Sequence, residues 1–183
     1  MVKERKKSKL FLVVLIAFIM ITSVIGFVIT FNPNKSSKNL KYNGYEIYKV
    51  DKGYAVYVKN NYFYFDNLPQ DLENITLNIN FNTNKIYLAY DSSEEFNDYP
   101  LRKLGSILTS LNYLVYRACI DENSCVEDIP VVNCNQTEKV IYFKVSNKTN
   151  LYNMDNCVVL EGSNSDHIKF VDRINYALLG VMK

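Results

Sequence analysis

The sharpest feature of the chain is where its apolar residues fall. Residues 10–31, LFLVVLIAFIMITSVIGFVITF, run without a single charge. At about 1.5 Å per residue a helix of that length reaches about 33 Å, enough for a hydrocarbon core of roughly 30 Å. The run predicts one transmembrane helix. A cleaved signal peptide is the competing reading, with Val24 and Gly26 as its small-residue site. Cutting there leaves Phe27, Val28, Ile29 and Phe31 as an apolar new terminus, so an uncleaved signal anchor is favoured. Residues 32–41, NPNKSSKNLK, lack apolar periodicity and predict a tether.

Beyond the tether the period is two. YEIYKV (45–50), YAVYVK (54–59) and YFYF (62–65), separated by DKG and NN, predict a three-stranded antiparallel meander. ITLNIN (75–80) and KIYLAY (85–90), joined by NTN, predict a second strand pair. The spacing then lengthens. Leu101, Leu104, Leu108 and Leu111 predict a helix over 98–111, with Asn97 or Asp98 as cap and Pro100 in its first turn. YLVYRACI (113–120) follows as a strand, so strand, helix and strand predict a right-handed parallel crossover. IPVV (129–132), VIYFKV (140–145) and CVVL (157–160) add strands. A last helix over 166–179 follows, capped by Ser165 and ended at Gly180. The predicted fold is α/β, with α+β as the near alternative: a mixed sheet with about two helices and an N-terminal β-meander over 42–183, preceded by the transmembrane helix.

Charge gives the membrane helix a direction. Lys3, Arg5, Lys6, Lys7 and Lys9 precede the span and Lys35, Lys38 and Lys41 follow it, which favours a cytoplasmic head over 1–9. All four cysteines, Cys119, Cys125, Cys134 and Cys157, lie beyond the span. So do four Asn-x-Ser/Thr glycosylation candidates at Asn34, Asn74, Asn135 and Asn147. Both patterns suit an extracytoplasmic domain in an oxidising compartment. Without the basic head the chain holds 16 Lys/Arg and 18 Asp/Glu, so the outer domain has no electrostatic case for binding nucleic acid.

Candidate chemistry is sparse. No Cys-x-x-Cys occurs, which argues against a zinc ribbon or redox pair and for two structural disulfides. Three connectivities are open; Cys119–Cys125 and Cys134–Cys157 are favoured because the first flanks one polar loop and the second can join two strand ends. The only histidine, His167, starts the last helix, where an exposed imidazole is expected. Asp91, Glu94 and Glu95 follow one strand of the predicted crossover, and Asp121 and Glu122 follow the other. If the strands are parallel neighbours, these carboxylates share one edge and suit Ca²⁺ or Mg²⁺, with Ser92 or Ser93 adding hydroxyls. A helix N-terminus and a wet loop explain the same acids without a metal.

The DSSEE segment at 91–95 resembles the Asp-x-Ser-x-Ser metal motif of von Willebrand factor A domains, with Glu95 where the second Ser belongs. Across most of 42–181, the segments YNGYEIYKV, LPQDLENITL, YRACIDENSCVEDIPVVNC, NCVVLEG and VDRINYALLG are similar to short, singly anchored proteins of small-genome archaea. That resemblance implies an archaeal membrane or cell-surface setting and brings no activity or cofactor with it. The reading is of a membrane-tethered outer domain serving in envelope architecture, or binding an envelope protein or glycan, without a catalytic set. A ligand-binding or hydrolytic domain using the acidic cluster is the alternative. A third reading pairs the membrane helix through Ser23 and Gly26.

Overall fold

The computed structural model describes residues 14–16, 18–20, 40–79, 81, 83–91, 96–125, 128–136 and 138–183. The chain divides into two units, Met1–Lys38 and Asn39–Lys183. In the first, 14–16 and 18–20 are helical with exposed apolar side chains. The basic head, the rest of the predicted span and residues 32–39 of the tether lie outside the described residues. Among those described, no helix is long and apolar enough to cross a membrane.

The second unit is mixed α/β with two sheets. The first is a four-stranded antiparallel meander in chain order, β1 (Leu40–Tyr42), β2 (Tyr45–Val50), β3 (Gly53–Val58) and β4 (Asn61–Phe65). Strand β1 replaces the end of the predicted tether. Asn43 and Gly44, with φ of 47° and 85°, form a two-residue turn that returns Tyr42 beside Tyr45. An Asn-Gly pair adopts this left-handed geometry at little steric cost, so Leu40 pairs with Ile47 despite polar neighbours. Lys59 and Asn60 make the corresponding turn between β3 and β4. Ile47, Val56, Val58 and Phe65 point to one face and are buried.

The second sheet has the order β6-β5-β7-β9-β8, from β5 (Lys85–Tyr90), β6 (Leu114–Cys119), β7 (Lys139–Val145), β8 (Asn150–Met154) and β9 (Cys157–Gly162). Only β8 is antiparallel. The parallel crossover is present: β5 leads through α1 (Tyr99–Ser110) to β6, with Ile86 opposite Val115 and Leu88 opposite Arg117. Helix α1 starts where Asn97 Oδ1 accepts from the Tyr99 N–H at 3.0 Å. Helix α2 (Asn164–Leu178) starts two residues before the predicted position. Its cap is Ser163, not Ser165, because Ser163 and Asp166 cap each other's backbone N–H reciprocally. At its far end Gly180 takes φ 77°, and the Val181 N–H turns back to Tyr176 O at 2.9 Å.

The two helices form a layer with a sheet on each side. Leu101, Leu104 and Leu108 of α1 and Phe170, Val171 and Ile174 of α2 pack on Ile86, Leu88, Ile141, Phe143, Val158 and Leu160. Ile107, Tyr176 and Leu179 face the other way, joining the meander core. Fully burying each large apolar side chain is worth roughly 1.5–3 kcal/mol, so both interfaces carry substantial stability. On the far face of the second sheet, Ala89 and Ala118 leave room for Val132 and Cys134 from the β6–β7 connection.

Two predicted strands are not strands. Residues 75–79 keep the expected alternation of half-buried Ile75, Leu77 and Ile79 with exposed Thr76 and Asn78, yet have no ladder neighbour among the described residues. Side chains serve this backbone instead: Arg173 Nε donates to Ile75 O at 3.1 Å and Asn153 Nδ2 to Asn78 O at 2.7 Å. IPVV shrinks to one parallel bridge between Val131 and Cys119. Pro130 has no N–H to continue a ladder, and its carbonyl accepts from Cys119 N at 2.9 Å.

Candidate functional site

The carboxyl ends of β5 and β6 are adjacent, with Tyr90 opposite Cys119, so Asp91 and Asp121 leave the sheet at one edge. Asp121 and Glu122 are exposed. Asp121 accepts from Asn123 N at 3.0 Å and Asn123 Nδ2 at 3.2 Å, which fixes a short 3₁₀ turn, Glu122–Ser124. Its local role is therefore that of a turn-forming side chain. Glu94, Glu95, Ser92 and Ser93 lie outside the described residues. Among the described residues no group of three or more His, Cys, Asp or Glu is placed to hold a metal ion.

Two disulfides brace the sheet, one at this edge and one at the amino end of its parallel strands. Cys119 bonds to Cys125 and Cys134 to Cys157, with Cα–Cα distances of 5.6 and 5.0 Å, and no cysteine is free. The first bridge closes the acidic turn onto the end of β6. The second ties the β6–β7 connection to the start of β9. Asn74, Asn135 and Asn147 are exposed, as a modified asparagine must be, and Asn34 lies outside the described residues.

His167 is not the exposed residue its position suggested. It is fully buried, with Nε2 3.2 Å from Lys144 O and 2.9 Å from Leu160 O, between the rings of Phe96 and Phe143. The capping of α2 by Ser163 turns the first helical turn inward, which carries the imidazole into the core. Burial pushes its pKa below the ordinary histidine value. Its contacts are backbone carbonyls and phenyl rings.

The strongest polar constellation was not anticipated from the sequence. Lys103 of α1 lies 2.5 Å from both Asp66, which follows β4, and Asp172 of α2. Asp172 is fully buried and also accepts from Asp66 N, Asn67 N and Asn67 Nδ2, each at 2.9 Å. Burial pushes the Asp172 carboxyl up, against the pull of Lys103 and the Asn67 donors. Burial also works against the Lys103 charge, but Asp172 and Asp66 outweigh it and hold the ammonium above its usual value. Tyr99 donates to Asp66 at 3.0 Å, while Tyr176 stacks on Phe65 at 3.7 Å and donates to Asn67 O at 2.9 Å. The cluster joins the meander to both helices. Its only sequence signal was Asp172 interrupting the apolar positions of a helix.

No family model, curated protein or solved structure matches the chain. The site must therefore be read from its own chemistry.

The outer face of the meander carries exposed aromatic surface. Tyr57, Tyr62 and Tyr64 are 46%, 54% and 61% exposed, with half-buried Tyr48 beside them. Tyr48 and Tyr64 flank Ala55 in register, and Ala55 is only 3% exposed because the rings cover it. Tyr62 packs on Tyr57 at 4.9 Å and edge-on to Tyr48 at 6.1 Å. Tyr48 donates to Glu46 at 2.6 Å, which fixes one rim of the face. The result is a broad aromatic surface edged by hydroxyls.

Proposed function

We propose that the chain is a single-pass membrane protein, N-terminus inside, whose outer domain serves the cell envelope by binding another envelope component, protein or glycan, through the tyrosine face of the meander. The observation that carries this reading is the exposed cluster of Tyr48, Tyr57, Tyr62 and Tyr64. Tyrosine offers large contact area at low entropic cost together with a hydrogen-bonding end, and it is enriched at binding surfaces. Two disulfides in the second unit suit an extracellular setting. The uncharged run at 10–31 and the basic residues before it support the anchor and its direction.

In-cell crosslinking from this face, followed by identification of the captured partner, tests the proposal. Capture that persists after Tyr62 and Tyr64 are replaced by Ser would contradict it. Protease treatment of intact cells tests the topology, since an outer domain is cut without lysis.

A second reading is a ligand-binding or hydrolytic domain holding a divalent cation at Asp91, Glu94, Glu95, Asp121 and Glu122. It is favoured by the shared edge of Asp91 and Asp121 at adjacent parallel strand ends. An unchanged melting temperature on adding Ca²⁺ or Mg²⁺ would remove it.

A further inference from the structure

Strand β4 is an open edge: it pairs with β3 on one side, and among the described residues no other backbone hydrogen-bonds to it. Lys59 and Asn60, both at positive φ, form a two-residue turn, so Val58 and Asn61 exchange hydrogen bonds and the ladder alternates from there. That alternation turns the N–H and C=O of Tyr62 and Tyr64 away from β3, towards the open side. Sheet edges are commonly guarded by a charge, a proline, a bulge or brevity. At the opposite edge of the same sheet, β1 is three residues long and carries Lys41. Strand β4 has none of these guards: Asn61–Phe65 holds no charge or proline, and its register with β3 is unbroken.

A groove of about 350 Å³ lies beside this edge, between Tyr62, Phe63 and Tyr64 of β4 and Tyr99, Arg102 and Ile107 of α1. The charged residues that line it are Arg102 and Lys103, and no carboxylate does. Lys103 is taken up by Asp66 and Asp172. The Arg102 side chain is 65% exposed, and its Nη1 donates to Asp98 at 2.7 Å in an exposed pair of little energetic weight. Among the described residues its other donors meet no protein acceptor.

We propose that this edge binds an extended peptide segment of a partner protein, added to β4 as a further strand, with a carboxylate of that segment against Arg102. The inference rests on the binding role proposed for the meander and narrows the partner to a protein. Three observations select this occupant. The outward groups of Tyr62 and Tyr64 offer two donors and two acceptors at strand spacing, which an extended backbone matches and a glycan does not. Alternate side chains of an added strand would enter the groove beside Phe63, while the others join Tyr62 and Tyr64 on the outer face. The charge left open beside the groove is the Arg102 guanidinium, which favours a carboxylate.

Panning a phage-displayed library of random linear peptides on the full chain in mild detergent, followed by hydrogen exchange with the most enriched peptide made synthetically, tests the proposal. That peptide should carry a carboxylate and alternating apolar residues, bind saturably, and slow exchange of the Tyr62 and Tyr64 amides at least about tenfold. N-methylation of its pairing backbone amides should weaken binding at least about tenfold. Arg102 is exposed, so Arg102→Gln should keep the fold and weaken binding about threefold. A peptide that binds and loses affinity on replacing Tyr62 and Tyr64 by Ser, yet leaves both amides exchanging freely, would overturn strand addition while keeping the tyrosine face as a binding surface. The proposal is also overturned if no peptide binds saturably, or if Arg102→Gln leaves the affinity unchanged. Protection of the two amides in the chain alone that falls on dilution would overturn it as well, by making a second copy the occupant.

Discussion

Lys103 on the first helix and Asp172 on the second form a 2.5 Å ion pair in which the carboxylate is wholly buried and the lysine side chain is 10% exposed. The pair crosses the helix layer, and the same ammonium reaches Asp66 at the end of the meander. Breaking one partner should therefore do more harm than losing a surface ion pair. Lys103→Met leaves Asp172 without its counter-ion and should cost about 3–5 kcal/mol in urea unfolding. A double replacement, Lys103→Met with Asp172→Leu, should recover part of that loss. A Lys103→Met cost below about 1 kcal/mol would mean that the pair behaves as an exposed one.

The two disulfides close loops of different length, with sequence separations of 6 and 23. Chain entropy predicts about 2.4 kcal/mol for the Cys119–Cys125 bridge and about 3.4 kcal/mol for Cys134–Cys157. Cys134 and Cys157 also pack in the apolar cluster beneath the sheet, which adds to their weight. Cys134→Ser with Cys157→Ser should thus lower the unfolding free energy more than Cys119→Ser with Cys125→Ser. Equal losses in denaturant titrations would argue against loop closure as the source.

His167 makes stability sensitive to acid. Burial lowers its pKa in the folded state below the ordinary value of 6.5, so the unfolded chain takes up the proton first as pH falls. Its contribution is fully present above about pH 6.5 and declines from there as pH drops towards the depressed folded value. His167→Gln should flatten that part of the curve of unfolding free energy against pH. Asp166 acts lower: its bond with Ser163 depresses its pKa, so its contribution holds above about pH 3.8 and is lost as pH falls through the folded value.

Ser163 starts the second helix and thereby sets the depth of His167. Ser163→Ala should cost about 0.5–2 kcal/mol by freeing the Asp166 N–H, whereas Ser165→Ala should change stability by less than about 0.5 kcal/mol. Thermal melts of the two variants would separate the two candidate caps. Equal shifts would leave the reciprocal bond without energetic weight.

Sequence patterns located most elements because period and burial coincide in them. The leucine spacing of α1, the alternation in β2 to β5 and the apolar run of β9 each state which face is covered. The pattern misled at 75–79, where alternation records burial but cannot say whether a neighbouring strand exists. It missed β8, a polar edge strand whose Asp155-Asn156 turn returns it to Cys157. The hairpin of β1 also went unread, although Asn43-Gly44 is its turn signal. At the candidate sites, the order of Asp91 and Asp121 along the chain was enough to put them at one sheet edge once the strands were parallel.

Charge, the uncharged run at 10–31 and the position of the cysteines are properties of the linear chain, and from them alone come the expected place in the cell and two disulfides. Which buried groups meet is a different matter. Lys103, Asp66 and Asp172 are 37 to 106 residues apart. Arg173 gains its neighbours only when the C-terminal turn folds back beside the first hairpin. Local periodicity reports which face of an element is covered. Long-range packing decides what covers it, and thus which polar groups meet a partner.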